Sequence, residues 1–196
     1  MADIVLTGDA SGAITIAAPA VAGTNTLTLP AETGTILTSN TSTGKILQVV
    51  QTTKTDTFST TTAIPSFTTV TGVSATITPS ATSSKILVMV NGGFGNGSTN
   101  YAIAVNLLRD STSIYQGDAR GSSTRASAFA IAGGVGGCEQ YAINYLDSPS
   151  TTSATTYALQ AGTESGGTTV IGGSSASGGS YNGSVPTNII LMEISA

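Results

Sequence analysis

KILVMVNGGFGNGSTNYAIAVNLLRDSTSIYQGD, Lys85 to Asp118, holds two apolar runs, 86–90 (ILVMV) and 102–108 (AIAVNLL). Between them stand Gly92, Gly93, Gly95 and Gly97 with Asn91, Asn96 and Asn100. Each run has the length of a buried strand and turn-formers on both sides. Side chains alternate across a strand, so Ile86, Val88 and Val90 share one face, with Leu87 and Met89 on the other. Ile103, Val105 and Leu107 repeat the pattern. Apolar residues on both faces imply burial on both sides or at a subunit contact. These six residues are therefore the candidate core and subunit-contact set. The two runs are expected to pair as a central antiparallel hairpin of a β-sandwich, with the Gly/Asn stretch as its loop.

The rest of the composition agrees with an all-β chain. Of 196 residues, 39 % are hydrophobic and only 8 % charged, against roughly 25 % charged in an average domain. Water-facing positions must be filled by Ser, Thr, Asn and Gly, while helix-surface formers are scarce. The formal charge of −4 comes with no basic patch, which argues against nucleic-acid binding. No polybasic anchor and no run of ~20 apolar residues is present, so no membrane insertion is expected. Nor does the N-terminus show the charged-then-apolar pattern of a signal peptide. Cys138 is the one cysteine, which rules out an intrachain disulfide.

Two regions are expected: 1–44, a β-rich anchoring and oligomerisation segment, and 45–196, a β-sandwich head. The first has three acids and no Lys or Arg. Its apolar residues Ile14, Ile16, Leu27, Leu29 and Ile36 sit in short β-like pieces (AITI, TLTL, TIL). Such pieces are too short to bury a face alone, so they fold against copies of the chain or a partner; a flexible tail is the alternative. From Lys45 onward come KILQVVQ, an alternating stretch 67–79, the central runs, and 127–132 with 140–146 as a second expected pair. Then follow 156–161 and a closing strand, 188–194. Roughly eight strands at this spacing fit a jelly roll or related sandwich.

Chemistry for catalysis is sparse. The chain has no histidine, which removes the commonest general base and zinc ligand. Cys138 has no activating partner in sequence and reads as a small semi-buried thiol. GFGNG at 93–97 precedes a strand rather than a helix, so it is no dinucleotide loop. Asp110, Asp118 and Asp147 lack calcium-loop spacing and read as solvated turn carboxylates, with a loop cluster for Ca²⁺ or Mg²⁺ as the alternative. Accordingly no catalytic residue, metal site or cofactor is assigned. Phe94, Asn96, Asn100, Tyr101, Tyr115, Arg120, Arg125 and Tyr181 lie in or beside Gly/Ser-rich connections. They are candidate receptor contacts, with strand-end core positions and ordinary surface charges as the alternative.

GAITIAAPAVAGTNTLTLPAETGTILT (12–38) resembles an N-terminal module of tail-fibre and other virion proteins of marine and freshwater phages, including cyanophages. SATITPSATSSKILVMVNGG, NLLRDSTSIYQGDARGSSTRAS, NYLDSPSTTSATTYALQAG and NIILMEISA resemble the domain that often follows it. The latter pattern is also similar to the trimeric C1q/tumour-necrosis-factor jelly roll. This resemblance implies a homotrimer whose apolar sheet faces meet on a threefold axis, and it supplies no catalytic residues. It further implies a non-enzymatic phage structural protein, made in the host cytoplasm and carried on the particle surface. The expected role is a short tail fibre or host adhesin. Residues 1–44 would dock on a baseplate, tail or capsid protein, and the heads would meet a host surface glycan or protein. A capsid decoration or head-fibre protein is the alternative, and a glycan-binding or glycan-degrading module a remoter one.

Overall fold

Apolar and polar residues alternate through most of the chain, and every regular element among the described residues is a strand. The computed structural model describes residues 4–7, 13–16, 45–97, 100–131, 136–175 and 182–195. The chain divides into two compact units, Met1–Asn40 and Thr41–Ala196. In the first, β1 (Ile4–Thr7) pairs antiparallel with β2 (Ala13–Ile16), Ile4 opposite Ile16 and Leu6 opposite Ile14. AITI is thus a strand. Leu27, Leu29 and Ile36 lie outside the described residues, as does Tyr181.

The second unit is an antiparallel β-sandwich. One sheet contains β3 (Ile46–Lys54), β4 (Phe58–Thr60), β6 (Lys85–Asn96), β10 (Glu139–Asp147), β12 (Thr169–Ile171) and β13 (Thr187–Ile194). The other contains β5 (Thr68–Ile77), β7 (Ala102–Arg109), β8 (Thr112–Ile114), β9 (Ala128–Ile131) and β11 (Thr155–Thr163). Three positions are interrupted strands. β3 and β4 run along β13 and β12 in turn, and β12 and β13 both run along β6. Likewise β8 and β9 share one edge of β7. Counted that way, eight positions pair first with last, second with seventh, third with sixth and fourth with fifth. That winding is a jelly roll.

The two central runs are strands, but they do not form a hairpin. β6 pairs with β10 and β13, whereas β7 pairs with β11 in the opposite sheet. The connection through Asn100, at φ +65°, carries the chain from one layer to the other. Crossing lets the apolar rows Ile86–Val88–Val90 and Ile103–Val105–Leu107 both face the interior, where all six residues are buried. β9 and β10, the other expected pair, are likewise in different sheets. Nor is the Gly/Asn stretch a loop, since β6 continues to Asn96. Its glycines serve close approach rather than flexibility. A Cβ on Gly93 would stand 2.6 Å from Cys138 Sγ, and one on Gly95 2.6 Å from the Gly137 carbonyl oxygen.

Burial of β7 on both faces has an intrachain cause. Its outward residues Ala102, Ala104, Asn106 and Leu108 are also buried. A strap of residues 63–67 lies over the neighbouring β11, with the Ile64 amide donating to the Thr163 carbonyl at 2.8 Å. Gly162 permits this approach, since a Cβ there would meet Ser66 O at 2.8 Å and Ile64 Cγ2 at 2.9 Å. No subunit contact is needed to explain β7. A charge at Val88, which is wholly buried, therefore attacks the fold itself. Val88→Asp is expected to cost more than about 3 kcal/mol, with loss of a cooperative thermal transition by circular dichroism.

Candidate functional site

Two acids, Asp147 and Glu193, are buried inside the sandwich. Gln48, Glu193, Ile86 and Asp147 form one cross-strand row on the inner face of the first sheet. Asp147 accepts from Arg109 Nη1 through both oxygens at 3.0 Å and from the Tyr157 hydroxyl at 2.7 Å. Arg109 and Tyr157 belong to the second sheet, so the cluster ties the layers together. Burial first, then the bond to Asp147, pushes the Tyr157 hydroxyl well above the usual phenol range.

Glu193 is fully buried and accepts from the Ser80 amide at 2.7 Å, Ser80 Oγ at 2.6 Å and Gln48 Nε2 at 2.6 Å. Burial raises its pKa, but the hydrogen bonds from Ser80, Gln48 and Ser84 outweigh that and hold it at about 2. Both acids are occupied by structural donors, with Ile86 between them. Asp110 accepts from the Thr156 amide at 2.9 Å, as a turn carboxylate does, and Asp118 is exposed in a loop. Among the described residues no cluster of three or more acids, cysteines or histidines could hold a metal ion. No helix there is long and apolar enough to cross a membrane.

The candidate contact residues scatter. Phe94 and Asn96 are interior, a correction that follows from β6 extending past the glycines. Phe94 stacks on Tyr141, centroids 5.0 Å apart and planes 11° apart. Asn96 Nδ2 donates to Thr163 Oγ1 at 3.1 Å. Asn100 is exposed at the crossing, and Tyr101 is half-buried beside it. Arg120 and Arg125 are both exposed in the loop joining β8 to β9, next to Tyr115. That loop leaves and re-enters the edge of β7 at nearly one point. The Leu107 amide donates to Ser127 Oγ at 2.9 Å, and the Ser127 amide to the Val105 carbonyl at 2.9 Å. Arg125 Nε donates to the Gly117 carbonyl at 2.7 Å, and Gln116 Nε2 to Asn106 Oδ1 at 3.1 Å.

The outer face of the first sheet carries a second apolar surface. Ile46, Leu47, Val49 and Leu146 are 57 %, 46 %, 54 % and 52 % exposed. Strand register places Val49, Met192, Leu87 and Leu146 side by side as one row across all four strands. Ile190 and Met89 stand opposite one another in the next outward row. Two lysines stand at the margin of this face, Lys85 opposite Ile194 and Lys45 just before Ile46. Its signal in the sequence was the second apolar set, Leu87 and Met89, opposite the core-facing one.

No family model and no curated protein matches the chain. A structure of infectious bursal disease virus, Gx strain, aligns with 97 % of this chain and 46 % of its own, at 17 % identity and a TM-score of 0.40. One of T=1 particles derived from infectious bursal virus aligns with 97 % and 44 %, at 17 % identity and a TM-score of 0.41. The chain thus spans less than half the length of these viral chains. At those TM-scores the likeness carries no functional argument, and the class, an antiparallel jelly-roll sandwich, stands on strand order alone.

Two measurements probe the buried ties. Arg109→Ala should destabilise the sandwich by about 2 kcal/mol, read as a lower urea midpoint. That is below the 3–5 kcal/mol of a fully buried pair because Arg109 is partly exposed. Glu193, depressed from 4.5 to about 2, contributes its full stabilisation above pH 4.5. The contribution drains away as pH falls from there toward about 2, because the unfolded chain takes up the proton first. Melting temperatures followed between those pH values should show this slope, and Glu193→Gln should flatten it.

Proposed function

We propose that the protein is a non-enzymatic structural protein of a phage particle. In this role it is a homotrimeric short tail fibre or host adhesin, attached through residues 1–44. The observation that carries the proposal is the apolar outer face of the first sheet, with Val49, Met192, Leu87 and Leu146 in one uncharged row. A patch of this kind on a soluble protein marks an interaction surface. A second and third copy of the chain are the occupants that fit, because in a closed ring each apolar face is covered by a neighbouring copy without any charged partner. The sequence resemblance set out above supports the same arrangement, as does the jelly-roll strand order. The non-enzymatic reading is supported by the absence of histidine and by the structural engagement of Asp147 and Glu193. Many copies on a particle allow individually weak contacts to hold a host surface.

In sedimentation velocity at micromolar concentration the protein should run at three times 19.3 kDa. The double variant Leu87→Asp, Met192→Asp should remain folded and run as a monomer, because both side chains are on the outer face. A stable wild-type monomer overturns the trimer. Gold labelling of intact particles in the electron microscope places the protein at the tail for a fibre, or on the capsid for a decoration protein. Release of oligosaccharides from host polysaccharide would overturn the non-enzymatic assignment.

A further inference from the structure

On the outer face of the second sheet, away from the apolar face, the strap 63–67 and the loop between β8 and β9 enclose a groove. One lobe, about 410 Å³, has Asn106 in its floor, Pro65 and Phe67 on one wall, and Ser122, Ser123 and Arg125 on the other. The second lobe, about 450 Å³, is bounded by Ile64, Phe129, Asp118 and Arg120. The lobes share Ser123 and Thr124 as a common wall. Each has the volume of a small-ligand site.

The chemistry of the lining is specific. Phe129 is 51 % exposed and presents a flat apolar face to solvent. The two lobes together add hydroxyls, the amide side chains of Asn106 and Gln116, and two guanidinium groups set against one carboxylate, Asp118. The chain has six Lys and Arg residues in all and a net charge of −4, so two arginines on one loop are a local reversal of charge. Arg125, which lines the first lobe, is held by its Nε–H on the Gly117 carbonyl. Arg120 takes part in no ion pair among the described residues.

We infer that this groove binds an anionic saccharide, with Arg120 and Arg125 taking its carboxylate or sulfate groups and Phe129 or Phe67 stacking on a ring face. Guanidinium groups match planar or tetrahedral oxyanions through paired donors. Hydroxyls and amides meet the sugar hydroxyls, and an aromatic face meets the C–H side of the ring. A neutral sugar can accept single N–H bonds from these guanidiniums but leaves their charge unmatched. The inference rests on the adhesion reading above for its biological setting. The groove itself is built within one chain and on the face opposite the proposed trimer contact, so solution binding tests it whatever the oligomeric state or particle location.

The test is a titration of the ¹⁵N-labelled full chain with oligogalacturonate, a sulfated oligosaccharide and maltohexaose, followed by NMR. The anionic probes should shift the amides of residues 116–125 and the arginine Nε–H signals, and raising the salt should weaken them. Maltohexaose should bind at least tenfold more weakly. Arg120→Gln should lower affinity about tenfold, as loss of a charge-assisted hydrogen bond does. Arg125→Gln should do the same, and because its Nε–H also holds the loop, Arg120→Gln is the decisive variant. Preference for the sulfated probe over oligogalacturonate, or the reverse, assigns the acidic group. Equal binding of neutral and anionic probes, no binding of either anionic probe, or an unchanged affinity in Arg120→Gln overturns the inference.

Discussion

Two strands of unusual apolarity have to be buried at once, and the sandwich is what results. The inward rows of β6 and β7, Ile86–Val88–Val90 and Ile103–Val105–Leu107, belong to opposite sheets of one core. Paired as a hairpin they would lie in one layer and still need a second to cover them. Placed in opposite layers, each is the other's cover, and the remaining strands add at their flanks. β10 and β13 close on β6, and β11 with β8 and β9 on β7. With so few charges in the chain, this burial and the backbone ladders dominate the stabilisation, roughly 25 cal/mol for each Å² of apolar surface removed from water.

Polar groups inside that core act as registration marks. Asp147 reaches across from β10 to Arg109 and Tyr157, and Glu193 reaches from β13 to Ser80 beyond the end of β5. A one-residue slip of β10 or β13 within its ladder would turn these carboxylates outward and strand their donors, since strand side chains alternate. Each acid is therefore costly in isolation and selective in place.

Alternation made the strands legible: Val73, Ala75 and Ile77 face inward, and Tyr141 and Ile143 do likewise. Pairing was not legible, because adjacency in sequence suggested hairpins at 86–108 and 127–146 where the chain instead crosses between layers. The glycines of 92–97 misled for a related reason. They resemble a flexible loop in sequence, and only the approach of Cys138 and Gly137 from distant segments shows why side chains are excluded. Arg120 and Arg125 were identifiable as loop arginines, but their company was not. Phe67, Asn106 and Phe129 come from three separate segments, and nothing local in the sequence joins them.

The loop between β8 and β9 has a consequence for how such a molecule can change. One end, Ile114, lies opposite Leu107, and the other, Ser127, bonds to Leu107 and Val105 of the same strand. Lengthening a loop whose ends are already fixed close together costs little chain entropy, about 0.6 kcal/mol for each doubling. Residues can be inserted or exchanged around Gly121 and Ser122 without shifting any strand. A single β-sandwich can thereby carry many different loops, and the tempo at which its surface diversifies is uncoupled from the tempo at which its core is allowed to.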